Sequence, residues 1–137
     1  KLCIMQSGDF EQTRRCVTEA IGSYPDWVEI LPPREDVATY YNAADIFLSA
    51  SRTEAFSYCL VEAAYCEPML ITSNVPGPND LRIDGMERFV SGDVVDLSKK
   101  IEKLLHLEKM FHIRKDNVKQ LYALKKWTES IILSYIK

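Results

Sequence analysis

Histidine is scarce in this chain, with two among 137 residues, and glycine is little commoner at five. His106 and His112 offer no ligand set with Cys or acidic residues, which argues against a metal site. The four cysteines, Cys3, Cys16, Cys59 and Cys66, form no C-x-x-C pair and are too sparse for a disulfide scaffold. They stand among apolar neighbours and read as small core residues. No apolar run approaches the roughly eighteen residues of a membrane span, and no signal peptide is evident, so the expected location is cytoplasmic. The net charge of −3, with 27% charged residues, excludes a global pull toward nucleic acid. Charge is unevenly spread, however: residues 98–137 carry ten Lys or Arg against four Asp or Glu. That stretch suits solvated helices, and it also suits weak peripheral contact with an anionic membrane surface.

What is present is hydrophobic content of 47% in a length that suits one α/β domain. At this size a domain buries roughly two-thirds of its unfolded surface. Apolar runs at residues 1–5, 28–31, 45–49 and 68–72 read as buried strands. Pro32 and Pro33 end the second, because proline cannot donate to a ladder. Helical spacing recurs over residues 11–21, 34–44 and 57–66, with Gly22 as a stop for the first. Residues 73–80 are rich in turn formers, and residues 88–91 suit a short edge strand. The window 94–106 places Leu97, Ile101, Leu104 and Leu105 on one stripe with Lys99, Lys100 and Lys103 turned away. Residues 107–137 also read as helical. Strands alternating with helices imply βαβ units, hence a parallel sheet. No repeat, low-complexity tract or linker interrupts the pattern.

Two carboxylates stand out. Glu54 and Glu62 lie in SRTEAFSYCLVEA, residues 51–63, between the third strand and the helix after it. Ligands bind at such junctions, where a helix start offers unpaired N–H groups and a partial positive charge to phosphate. An acid beside phosphate would repel it, unless it is aimed at hydroxyl groups of a ligand carrying both sugar and phosphate. A nucleotide sugar has that chemistry. The plainer alternatives are a solvated loop acid at Glu54 and an ordinary helix residue at Glu62. Among Val61, Ala63 and Ala64, an unpartnered acid at 62 would be costly unless it faced a polar cleft.

This segment resembles the paired-glutamate signature of the retaining GT-B glycosyltransferases of family-4 (group 1) type, Ser-x-x-Glu-Gly-Phe-Gly followed by a helix with the second Glu. Three further stretches are similar to that family: LPPREDV at 31–37 with YYNAAD at 40–45; EPMLITSN at 67–74 with Asp80; and KWT at 126–128. The resemblance implies a Rossmann-like parallel sheet flanked by helices, the C-terminal half of a GT-B fold. Residues 1–137 would then be a donor-binding domain, with residues 107–137 as its last helices. By the same resemblance Glu54 is the catalytic-site acid that holds hydroxyls of the transferred sugar, and Glu62 accepts from the ribose. The backbone around Ala55, Phe56, Ser57, Tyr58 and Cys59 would face sugar and phosphate, and Pro32 and Arg34 would border the base. Arg34 equally suits an ordinary residue of a first helical turn.

Where the family has two glycines, this chain has Ala55 and Ser57. A turn requiring positive φ at either would cost about 1 kcal/mol or more. Glu67 and Pro76 also depart from the pattern, and Pro32 replaces a glycine and offers no N–H. Ser57 is a candidate helix cap. The resemblance further implies an acceptor-binding N-terminal domain and a first βα unit with an Arg and a Lys for the diphosphate, neither of which has a counterpart here. The segment alone is therefore expected to be inactive, since charge on the departing nucleotide must be neutralised. The expected partner is a nucleoside diphosphate sugar, with no cofactor and no metal. Two other classes fit the βα alternation: a non-catalytic Rossmann-like interaction or nucleotide-binding module, and a receiver-type domain. A receiver needs an acidic cluster after its first strand, and residues 5–7, MQS, do not supply one.

Overall fold

The computed structural model describes residues 1–6, 8–66 and 68–106. They form two compact units, Lys1–Val37 and a second from Ala38 onward. The expected parallel β-structure is present as two parallel sheets, one in each unit.

In the first unit, β1 (Leu2–Met5) pairs in parallel with β2 (Val28–Leu31), Leu2 opposite Val28 and Met5 opposite Leu31. Helix α1 (Phe10–Ile21) connects them. Its start is fixed by Asp9, whose carboxylate accepts from the N–H groups of Glu11 and Gln12 at 2.9 and 3.1 Å, satisfying donors that have no partner within the helix. Its end is fixed at Gly22, which adopts φ 91° and donates its N–H to the carbonyl of Thr18.

In the second unit, α2 (Val37–Ala43) leads to β3 (Ile46–Ser49), α3 (Tyr58–Tyr65), β4 (Met69–Ser73), a 3-10 turn (Pro78–Asp80), β5 (Glu87–Phe89) and α4 (Val94–His106). The sheet order is β3-β4-β5, all parallel, with Ile46 opposite Met69 and Ile71 opposite Glu87. Successive residues of a strand face opposite sides, and β4 shows the consequence. Leu70 joins Leu60, Ala63 and Ala64 of α3 with Leu81, Ile83 and Met86, while Ile71 joins Phe89 and Leu104 of α4. The sheet is thus covered by α3 on one face and α4 on the other. Each fully buried Leu or Ile contributes about 2 kcal/mol. Helix α4 is also capped, the Asp93 carboxylate accepting from Val95 and Asp96 N–H at 2.9 and 3.0 Å.

Two expectations change. Helix α2 begins at Val37 rather than at residue 34, and Arg34 is engaged with Asp36 ahead of the helix. The cysteines are not core residues: Cys3, Cys16 and Cys59 are exposed and Cys66 is half-buried. Helix α1 has no fully buried residue, and on α3 the inward stripe is taken by Leu60, Ala63 and Ala64, leaving Cys59 on its flank. Glu67, His112, the residues 126–128 and the expected helices of 107–137 lie outside the described residues.

Candidate functional site at the end of the third strand

The loop from Ala50 to Ser57 leaves β3 at its carboxyl end and enters α3. Three contacts shape it. The hydroxyl of Ser73, at the end of β4 and fully buried, donates to the carbonyl oxygen of Ser51 at 2.5 Å. Phe56 turns inward onto the cluster around Leu60 and meets Tyr58 edge-on, ring centres 4.8 Å apart. Gly77 lies so close that a Cβ on it would stand 2.5 Å from the carbonyl oxygen of Glu54 and 2.7 Å from that of Ala55. The side chain of Phe56 is therefore a packing group. Glu54 is half-buried in this loop and Ala55 is exposed.

Ser57 occupies the N-cap position of α3 with φ −92° and ψ 87°. No left-handed backbone is needed there, so the side chain that replaces the resembled glycine is accommodated. Its hydroxyl makes no capping hydrogen bond, contrary to expectation; its carbonyl instead accepts from Val61 N–H at 3.3 Å. At a short helix start the first N–H groups have no intrahelical acceptor. Tyr58 and Glu62, one turn apart, share the exposed face of α3 opposite Leu60, Ala63 and Ala64. The burial cost expected for Glu62 therefore does not arise, because the helix rotates its carboxylate out of the tight packing.

Tyr41, which the sequence reading did not single out for the site, stands beside this face. Its ring packs edge-on against Phe47 at 5.3 Å and 89°. Burial first, then the charges of Cys59 and Glu62, push its phenol above the usual range, so it stays protonated in the presence of Glu62. Tyr41 lies in the YYNAAD stretch, but no short-range pattern shows that it stands beside Cys59 and Glu62 of α3. Ser73 and Gly77 were likewise missed; Pro-Gly-Pro at 76–78 signals a turn but not what the turn touches.

In the first unit, Pro32 and Arg34 follow β2 and are exposed. The Arg34 guanidinium forms two hydrogen bonds to the Asp36 carboxylate, at 2.7 and 3.3 Å, which lowers the Asp36 pKa. An Arg so engaged is oriented by its neighbour rather than by a helical first turn. The structure thus brings Glu54, Ala55, Phe56, Ser57, Tyr58, Cys59 and Glu62 to one strand-to-helix junction of the second unit. Pro32 and Arg34 stand in the other. Among the described residues no group of His, Cys, Asp and Glu could hold a metal ion.

The family model for glycosyl transferases group 1 matches residues 7–121. The chain belongs to that family. Over 99 residues this glycosyltransferase domain is 33% identical to a Saccharomyces cerevisiae phosphatidylinositol N-acetylglucosaminyltransferase GPI3 subunit, covering 66% of the chain and 21% of the relative. Over 77 residues it is 32% identical to the Staphylococcus aureus capsular polysaccharide biosynthesis glycosyltransferase CapM, covering 55% of the chain and 20% of the relative. The domain therefore spans about a fifth of the length of these relatives. Its fold matches that of sucrose-phosphate synthase from Thermosynechococcus elongatus with a TM-score of 0.79 at 20% identity, over 98% of this chain and 37% of the other. The architecture is that of a Rossmann-like GT-B glycosyltransferase domain.

Proposed function

We propose that this domain is the donor-binding part of a retaining glycosyltransferase that moves a hexosyl group from a nucleoside diphosphate sugar to a hydroxyl acceptor. The anomeric carbon would break its bond to the phosphate oxygen and bond to the acceptor oxygen on the same face, the nucleoside diphosphate leaving and its phosphate oxygen taking the acceptor's proton. Glu54 would accept from hydroxyls of the sugar and Glu62 from the ribose, while the N–H groups at the start of α3 and around Ala55 and Phe56 face sugar and phosphate. The observation that carries the reading is the joint placement of a loop carboxylate, Glu54, and an exposed helix carboxylate, Glu62, on either side of one helix start. Acids so placed suit neutral hydroxyl donors, while the helix end suits phosphate.

The names of the two relatives support a product in polysaccharide or glycolipid synthesis. An acceptor-binding domain would be supplied by the rest of the protein, and turnover would require it. The site would work without metal or organic cofactor, on the cytoplasmic side, with the basic stretch of residues 98–137 giving weak, salt-sensitive contact with anionic lipid. Titration of the full-length protein with UDP, GDP and ADP tests the reading. One of the three is expected to bind, and to bind at least about tenfold more weakly to Glu62→Ala, the loss of a charge-assisted hydrogen bond. Unchanged affinity for all three in that variant would remove the ribose assignment.

A second reading, a non-catalytic module on the same fold, is favoured by Ala55 where the resembled turn has glycine. Sugar transfer by the full-length protein separates the two.

A further inference from the structure

The segment leaving β4 reaches the Glu54 loop at two points: Ser73 holds the Ser51 carbonyl, and Gly77 lies against the Glu54–Ala55 peptide. Gly77 sits at φ +85°, where L side chains are strained, and a Cβ there would also strike backbone atoms: the Glu54 oxygen at 2.5 Å, the Ala55 oxygen at 2.7 Å and the Ala55 carbon at 2.8 Å. Backbone cannot step aside as a flexible side chain can. Gly92 provides an internal comparison, with the same φ of +85° and nothing within 4 Å of its Cβ position. Strain alone applies at Gly92; strain and collision both apply at Gly77.

We propose that Gly77 is a positioning residue for the donor sugar. Lacking a side chain, it lets the β4 exit support the Glu54–Ala55 peptide from behind. That support sets where the Glu54 carboxylate and the N–H groups of the turn meet the hexosyl ring. Glu62 stands on α3 beyond this contact, anchored instead by Leu60, Ala63 and Ala64 in the core. Disturbing Gly77 therefore acts more on the sugar, which the Glu54 carboxylate holds, than on the nucleotide. The inference rests on the assignment of Glu54 to the sugar made above.

The test titrates full-length wild type, Gly77→Ala and Gly92→Ala with free UDP, GDP and ADP, and with UDP-glucose, UDP-N-acetylglucosamine, GDP-mannose and ADP-glucose. Gly77→Ala is expected to lose roughly tenfold in affinity for the conjugate that wild type binds, with less than about threefold change for the matching free nucleotide. Gly92→Ala should alter neither by more than about threefold. Should Gly77→Ala fail to fold, Ser73→Ala, which releases the Ser51 tether without a collision, is expected to lose about fivefold for the conjugate, and no such loss would overturn the support of the Glu54 loop by the β4 exit. Equal losses for conjugate and free nucleotide, or no loss for either, would overturn the role of Gly77. A wild-type protein that binds none of the conjugates overturns the donor reading itself, and the role of Gly77 with it.

Discussion

The Ser73 hydroxyl, at the carboxyl end of β4, donates to the Ser51 carbonyl oxygen at 2.5 Å and so ties the loop after β3 to the neighbouring strand. Both groups lie where the sheet ends, and the ladder that pairs Ser49 with Thr72 stops just before them. The hydrogen bond extends strand-to-strand attachment into the loop that carries Glu54. Ser73→Ala removes it and should cost about 1 kcal/mol. Thermal unfolding of the domain should show this as a melting point lower by roughly 3–4 °C.

Leu60 is fully buried where α3 meets Leu70 and Leu81. Leu60→Ala is expected to destabilise by about 2–5 kcal/mol, depending on how far the cavity collapses. Tyr58→Ala, two positions earlier on the exposed face, should cost only about 0.5–1.5 kcal/mol, the worth of its edge-on contact with Phe56. Denaturant midpoints for the two variants check the orientation of the helix, and hence the outward aim of Glu62.

Asp9 caps α1 through two backbone N–H groups. Asp9→Ala should lower stability by about 1 kcal/mol, while Asp9→Asn, which keeps an acceptor, should recover most of it. Urea unfolding of the two variants side by side reads the difference.

Glu87 on β5 meets Lys103 and Lys100 of α4, and those ammonium groups hold its pKa below the usual carboxylate value. A depressed folded-state pKa means stability that is fully present above the unfolded value, about 4.3 for Glu. It is lost as pH falls through the lower folded-state value. Lys103 is 54% exposed, so solvent screening limits the contribution to about 1 kcal/mol or less. In Glu87→Gln the fall in stability below about pH 4.5 should be shallower, as read from unfolding curves across that range.

Much of the element order was legible in the residues themselves. The apolar run at Val28–Leu31 and the Leu97, Ile101, Leu104 stripe within Val94–His106 give elements with the expected bounds, because a two-residue or 3.6-residue period is a local signal. The Glu54–Glu62 junction was legible for the same reason. What failed depended on partners distant in sequence. Cysteine composition cannot tell which side of α1 or α3 meets a sheet, so Cys16 and Cys59 were placed inside and lie outside. The parallel sense inferred from βα alternation is found in both sheets, although alternation does not tell which strands pair. Ser73 and Gly77 belong to the same class. Their partners lie some twenty residues away, and only the fold shows them supporting the Glu54 loop.

The central claim is that two carboxylates divide the donor between them, and a four-way titration tests it most directly. Full-length wild type, Glu54→Gln, Glu62→Ala and the double variant are titrated with the free nucleoside diphosphate and with its sugar conjugate. Glu62→Ala should weaken both ligands by about tenfold or more, whereas Glu54→Gln should weaken only the conjugate to that degree. The double variant should show the summed loss for the conjugate and the Glu62→Ala loss alone for the nucleotide. Wild-type affinities in both single variants, or equal effects of Glu54→Gln on the two ligands, would contradict the account.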